Sequence, residues 1–413
     1  MFFRKFVVTI VFLISVFQLA DPAFGSKQVP AKVSFMRDGN VWVFVNGTEI
    51  QVSKSGKAMG PEWSVDGKLL SYVEEDKADP PQQSIHIYDV TAKNTIKIYK
   101  RGYFPKWSPR GDILAYKDGT TLNVSDLKQF NNAALGVDGY VWTPDGSGFI
   151  LSKSGDLTPE GWTGATLYKK VLPQNWAEAS YSVNVEKFFS LPNEISSNGS
   201  KIIAVYPSDF SYSPSGRWLS FVVSPTASWS MDSNMVCTIS AAGRHFDVLD
   251  EIILQVGKPK WAPSKDILAY IAGGGRLVFG FKDKDLKTKE FPAFTTYTPE
   301  NYADLDFAWK DDNTIFVSRI KEAEWSNDFS KHPLPALFVI DTVSGKQTQI
   351  TSPPEGYADY SPDYIRSADK MIWIQRKYHY QDANIWIADP DGTNAYLWLK
   401  NADSPVIYSP KDS

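Results

Sequence analysis

Pro61-Glu62-Trp63-Ser64-Val65-Asp66-Gly67, followed at once by Leu69-Leu70-Ser71-Tyr72, is the stretch that decides the fold. It reads as a short strand ending in a large aromatic, a tight turn at Asp66-Gly67, and a second apolar strand. Glycine suits the turn because it accepts positive φ at no steric cost. The unit recurs. Pro105-Lys106-Trp107-Ser108-Pro109-Arg110-Gly111 leads into Ile113-Leu114-Ala115-Tyr116, and further copies centre on Trp142, Tyr212, Trp261, Trp309, Tyr360 and Tyr408. The last, Tyr408-Ser409-Pro410, has no further strands after it to complete a unit. A period of roughly 35 to 50 residues carrying strand-type runs is the mark of a propeller or another repeat array.

Each copy extends to four strands. After residues 69–73, the run Ser84-Ile85-His86-Ile87-Tyr88-Asp89-Val90 alternates polar and apolar, as a half-buried third strand does. Thr95-Ile96-Lys97-Ile98-Tyr99 alternates again and makes a fourth. Residues 314–319, 336–341 and 347–350 repeat the pattern after Trp309, and 370–375, 384–388 and 395–399 repeat it after Tyr360. No helical period stands out beyond the first residues. The expected fold is all-β: a β-propeller of four-stranded antiparallel blades, which leaves few open sheet edges. Trp63, Trp107, Trp261 and Trp309 are expected to pack in the narrow space between neighbouring twisted sheets.

The two ends complement each other. Residues 32–37, 41–45 and 48–52 read as the second, third and fourth strands of a blade, and 405–410 as a first strand. Joined, they make one blade and close the ring, giving eight blades. Seven is the alternative if a degenerate copy such as the terminal one does not form a blade. The interval from Trp142 to Tyr212 is long and holds one first-strand motif; its segment 173–200, with Trp176, Phe188 and Phe189, reads as an extra hairpin, a flap over the channel mouth, or a decorated blade edge.

These motifs resemble the Pro-Asp-Gly propeller repeat of TolB, a WD40-like repeat type found also in the propellers of the dipeptidyl peptidase and prolyl oligopeptidase families. The resemblance runs from about residue 32 to 410. It implies a TolB-like propeller serving as a protein-binding platform outside the bacterial cytoplasm. The first strand is expected just after the leader, so neither the additional domain of TolB nor a peptidase domain is expected, and no catalytic residue carries over.

Residues 1–25 read as a secretory signal peptide, leaving 26–413 as a single propeller domain. Arg4 and Lys5 form the basic region, 6–19 the apolar region, and Ala23-Phe24-Gly25 the cleavage site. The apolar run is short for a membrane span, which needs about 20 residues, and no cysteine near the cut marks a lipid attachment site. The expected product is secreted or extracytoplasmic (periplasm or cell envelope), with no stable membrane span, and monomeric. The formal charge of −4 becomes one unit more negative without Arg4, Lys5 and Asp21. Nucleic acid would favour a basic patch and is not the expected partner. Cys237, the single cysteine, reads as a small buried hydrophobe.

Strands in a blade alternate in direction, so connectors between second and third strands share a face with the connectors between blades. Those at 74–83, 152–164, 224–234, 321–335 and 377–383 are long, while the first-to-second turns are short. The long-connector face is therefore the expected working surface. It carries Trp162, Trp229, Trp325, His332, Tyr378, His379 and Tyr380, the candidate ligand-binding residues. Aromatic residues of this kind recur in protein interfaces and stack on sugars; each also has a plain alternative, pinning its own loop. The expected function is a non-catalytic binding scaffold for a protein, peptide or cell-wall glycan. The alternative is a propeller enzyme, of polysaccharide lyase or glycosidase type, with its site at the axial channel mouth. No nucleophile elbow, phosphate loop or zinc-binding helix motif is present, and Asp145-Gly146-Ser147-Gly148 reads as a turn. His86 and His245 read as structural. No cofactor is expected beyond a channel cation, for which Asp209, Asp304, Asp306 and Asp359 are the weak candidates.

Overall fold

The computed structural model describes residues 29–76, 81–99, 101–111, 113–182, 184–226, 231–275, 282–290, 293–324, 326–328, 331–377 and 383–410. Residues 1–25, read above as a signal peptide, lie outside them. Eight four-stranded antiparallel sheets form the ring of a propeller. Helical structure among the described residues is confined to short turns such as Trp176–Glu178 and Arg366–Ala368. No described helix is long and apolar enough to cross a membrane.

Blade 2 shows how the repeat works. Its strands are Ala58–Trp63, Leu69–Glu75, Gln83–Asp89 and Asn94–Tyr99, in that order from the axis outward. The Asp-Gly turn is tied on both sides. Ser64 donates its N–H to Leu69 at 2.9 Å, Gly67 donates to the Ser64 carbonyl at 2.9 Å, and the Ser64 hydroxyl accepts from the Leu69 N–H at 2.9 Å. The small residue after each aromatic is thus the turn's cap. Ser108, Thr143 and Ser213 occupy the same place, each closing onto a glycine at positive φ.

The tryptophan does more than fill space. Its indole N–H reaches back to a backbone carbonyl on the inner strand of the preceding blade: Trp63 to Val406 (3.0 Å), Trp107 to Glu62 (3.3 Å), Trp142 to Lys106 (3.1 Å), Trp261 to Ser211 (3.1 Å) and Trp309 to Lys260 (3.1 Å). The apolar clusters lie between neighbouring blades as well. One joins Ile150 and Leu167 of blade 4 to Leu219 and Phe221 of blade 5. Another joins Ile85 and Ile87 of blade 2 to Trp107, Leu114 and Tyr116 of blade 3. Cys237 is fully buried within blade 5, and burial pushes its thiol well above the ordinary range, as a small hydrophobe requires.

Two motif readings shift in register. The inner strand of blade 8 is Tyr357–Ile365, and its register slips between Tyr360 and Asp363, as that of blade 2 slips between Met59 and Glu62. Ser361-Pro362 therefore lies in the bulge, and Tyr364, not Tyr360, is the aromatic before the turn. At the C-terminus the inner strand is Asp403–Ile407, and Tyr408 falls one place beyond the tryptophan position. The Tyr360 motif misleads because of its Ser-Pro pair. A Ser-Pro pair suits a bulge as well as a turn, because proline cannot donate to the ladder.

The composite blade forms as expected, in the order Thr48–Gln51, Asn40–Val45, Lys32–Arg37, Asp403–Ile407. Val33 pairs with Ile407 and Ser34 with Val406. Tyr408 donates its N–H to Lys32 at 2.8 Å and its hydroxyl to the Val65 carbonyl at 3.0 Å. Its ring lies over Gly67, where a Cβ would stand 2.5 Å from the ring. The repeat's glycine at the first turn is thus also the seat of the chain's last aromatic. The long interval holds two additions: a hairpin at Leu157–Thr158 and Gly161–Trp162, and another at Glu194–Ser197 and Ser200–Ile203. The second docks on the outer strand of blade 5, where Asn198 donates to Asp250 at 2.8 Å and Ser200 to Glu251 at 2.5 Å. Segment 173–200 is thus the outer strand of blade 4, Val185–Ser190, flanked by a helical turn and a docked hairpin arm, with no flap over the channel.

Deletion of residues 404–413 strips the inner strand from blade 1 and removes the acceptor of the Trp63 indole. Each buried group left unpaired costs about 1 to 3 kcal/mol, against a total stability of roughly 5 to 15 kcal/mol. The truncated chain is expected to melt far lower or to aggregate in a thermal denaturation experiment. A melting temperature within a couple of degrees of the full chain would contradict the closure.

Candidate functional site

The inner strands line the axis, and their charges are paired. Lys106 meets Glu62 at 2.7 Å, Lys258 meets Asp209 at 2.6 Å, and Lys260 meets Asp306 at 3.2 Å. On the next inner strand, burial raises the carboxyl of Asp363 above its ordinary range; Lys260 pulls it back down and Asp306 adds to the rise. Asp209 and Asp306 of the four candidate cation ligands therefore lie on this wall, each beside a lysine.

Asp304 and Asp359 sit behind it. Each ends a Tyr-Ala-Asp sequence, at Tyr302-Ala303-Asp304 and Tyr357-Ala358-Asp359, just before the bulge of an inner strand. Asp304 is fully buried and takes both arms of Arg319, at 2.6 Å and 2.9 Å, with the Thr298 hydroxyl donating at 2.7 Å. Arg319 also donates to the Tyr297 carbonyl and to Gln347. Asp359 accepts from the Trp373 indole and the Gln375 amide, both at 2.9 Å, and burial raises its carboxyl. Asp304 thus ties the connector residue Thr298 to the body of blade 7, and Asp359 ties the inner strand of blade 8 to its second strand. Among the described residues, no three His, Cys, Asp or Glu side chains gather in a metal-holding arrangement.

Of the candidate ligand-binding residues, Trp162 and His332 are described; Trp229, Trp325, Tyr378, His379 and Tyr380 lie outside the described residues. Trp162 is half-buried in the hairpin of blade 4 and meets Tyr206, the first residue of the blade 5 inner strand, edge-on at 6.4 Å. The His332 ring contacts the Ser326 carbonyl at 2.6 Å and so ties down its own loop.

The same face carries apolar residues that the sequence reading passed over. Met59, Phe104 and Tyr206 lie at the starts of the inner strands of blades 2, 3 and 5, and Leu157 in the Trp162 hairpin; they are 41%, 65%, 39% and 67% exposed. Phe104 occupies the inner-strand bulge at φ 52°. Equivalent bulges hold Gly60, Asp209, Ser361 and Ser404, of which glycine takes that conformation freely and aspartate at little cost. A bulky aromatic there is a backbone outlier. The sequence signal was available: Tyr103-Phe104-Pro105 places a phenylalanine where the first unit has glycine.

No family model matches the chain, and no curated protein is similar to it in sequence. Solved structures are similar to it in fold. A puromycin hydrolase superposes with a TM-score of 0.51 at 12% identity, over 84% of this chain and 54% of that one. The chain thus spans about half of that protein's length. The dipeptidyl peptidase 4 of Porphyromonas gingivalis gives a TM-score of 0.57 at 11% identity, covering 92% of this chain and 60% of that one. TolB of Acinetobacter baumannii also matches, at 11% identity over 92% of this chain and 67% of that one, with a TM-score of 0.39 that adds no weight. At these identities the likeness is one of propeller fold.

The two kinds of aspartate are separable by experiment. Arg319→Met leaves Asp304 buried without its partner, and such a loss costs about 3 to 5 kcal/mol. Asp209→Asn breaks a largely solvated pair and is expected to cost no more than about 1 kcal/mol. Chemical denaturation of both variants checks the assignment; equal losses would contradict it.

Proposed function

We propose that this chain is an exported, non-catalytic binding scaffold that takes a protein, peptide or cell-wall glycan on its long-connector face. The observation that carries the reading is Phe104. Its left-handed backbone costs about 1 to 2 kcal/mol, yet the ring faces solvent and gains little packing in return. Strain of this kind is kept where it serves a site. Met59, Leu157 and Tyr206 are further exposed apolar groups on that face, where Trp162 meets Tyr206, and exposed apolar groups gathered on one face suit an interaction site. Export rests on the leader read in residues 1–25. The enzyme alternative rests on Lys260, Asp306 and Asp363, because a carboxyl with a raised pKa is a group that acid–base chemistry uses.

The test is capture from the native exported fraction by immobilised wild type and variants. Phe104→Gly relieves the strain and removes the ring, so it is expected to melt at the same or a higher temperature while capturing less. Tyr206→Ala is expected to weaken capture in the same way, and Asp363→Asn to leave it unchanged. Undiminished capture by a Phe104→Gly, Tyr206→Ala double variant would remove the site from the channel mouth on this face.

A further inference from the structure

A cleft of about 460 Å³ opens between blades 2 and 3, on the long-connector face but outside the channel mouth. Its floor is aromatic. Tyr99, the last residue of the outer strand of blade 2, stacks on Tyr116 of blade 3 with centroids 4.3 Å apart and planes at 21°. Phe130, 53% exposed, stands edge-on to Tyr99 at 5.5 Å. The Tyr99 hydroxyl is engaged with Ser125 at 2.5 Å, so this tyrosine offers the cleft its ring and not its hydroxyl.

Beside the rings runs a row of amides. Tyr116 pairs with Asn123 and Asn123 with Asn132, so the three side chains share one face across three neighbouring strands. Asn123 is 3% exposed, and its amide nitrogen lies 3.4 Å from the Thr121 carbonyl, which fixes its direction. Gln82 adds a third amide from the blade 2 connector. The charges at the rim, Arg101 and Asp118, oppose each other at 3.6 Å. Two glycines keep the space open. Gly119 makes the second-to-third connection of blade 3 a tight turn, unlike the long connector of neighbouring blade 4. Gly102 lets the chain cross the floor, where a Cβ would stand 2.8 Å from Ile85 and 3.1 Å from the Tyr116 ring.

The geometry points to a binding site for a short neutral oligosaccharide in this cleft. A pyranose presents a C–H face that stacks on flat rings and an equatorial edge of hydroxyls. Amides meet those hydroxyls as both donors and acceptors. An apolar peptide side chain would desolvate Asn123 and Asn132 without pairing them, and an ion of either sign would meet an opposed pair. The volume falls within the range of about 300 to 1,000 Å³ of small-molecule sites. The inference rests on the binding-scaffold reading and names a ligand class for the same face.

Calorimetric titration of the full chain with cellotriose, maltotriose and the β-1,4-linked N-acetylglucosamine trimer tests it, with trialanine as the peptide control. At least one trisaccharide is expected to bind and trialanine not to. Phe130→Ala should weaken that binding about tenfold, the loss of one aromatic contact, and Asn132→Ala should weaken it as well. Both residues are exposed, so melting temperatures should hold. The site is overturned if no trisaccharide binds at millimolar concentration, if trialanine binds in their place, or if the Phe130 and Asn132 variants bind as wild type. Capture lost on mutating the mouth, with trisaccharide binding absent, overturns the cleft alone; undiminished capture with trisaccharide binding intact overturns the mouth alone.

Discussion

The indole N–H bond from one blade to the inner strand of the blade before it is the constraint on which the ring depends. It fixes two things at once. The flat ring sets the spacing between sheets, and the hydrogen bond sets their relative height along the axis, because only one carbonyl is in reach. Five such bonds run in the same sense around the ring, and one of them, from Trp63, lands on the C-terminal strand at Val406. Leaving a buried indole unpaired costs about 1 to 3 kcal/mol, so each bond resists slippage more than it adds net stability.

Three junctions have no tryptophan and are held otherwise. Tyr212 stands at the tryptophan position of blade 5, where the Glu194–Ile203 hairpin arm bridges from blade 4 and ties to Leu249, Asp250 and Glu251. Tyr364 stands there in blade 8, and Ser318 of blade 7 donates to the Asp359 carbonyl at 2.8 Å. Ile407 stands there in blade 1, and Arg37 reaches the Lys400 and Asn401 carbonyls of the connector from blade 8. Among the described residues, five inner strands carry a positive-φ residue at a bulge, at Gly60, Phe104, Asp209, Ser361 and Ser404, and the bulge turns each of these strands as it enters the channel wall. The conformation at Phe104 therefore recurs in other blades, and the residue filling it differs from one to the next.

The fold was legible because its signals are local and repeated. Trp63 to Tyr72 contains the strand, cap, turn and second strand in consecutive residues, and seven other positions echo it. The closure was legible because each end lacked what the other supplied. Register was less so: Tyr360 and Tyr364 lie four residues apart around a Ser-Pro pair, and only strand pairing tells bulge from turn. Of the candidate site residues, Trp162 and His332 fall among the described residues, and the structure pairs the Asp candidates in ways their sequence does not announce. Asp304 looked like its neighbour Asp306, yet Arg319, fifteen residues away on the paired strand, claims it. Phe104 and the Tyr99–Tyr116 floor were hidden inside strands that read as core, because exposure depends on how far the next blade reaches, and sequence periodicity carries no record of that.

The most direct measurement of this account is the hydrogen-exchange rate of each tryptophan indole N–H, followed by NMR on indole-labelled protein. Trp63, Trp107, Trp142, Trp261 and Trp309 are expected to exchange slowly and to lose protection together as denaturant rises, since each bond spans two blades of one closed ring. The half-buried Trp162 should exchange far faster. Rates at the five positions matching that of Trp162, or protection lost one blade at a time, would contradict the indole bonds as the constraint that holds the ring.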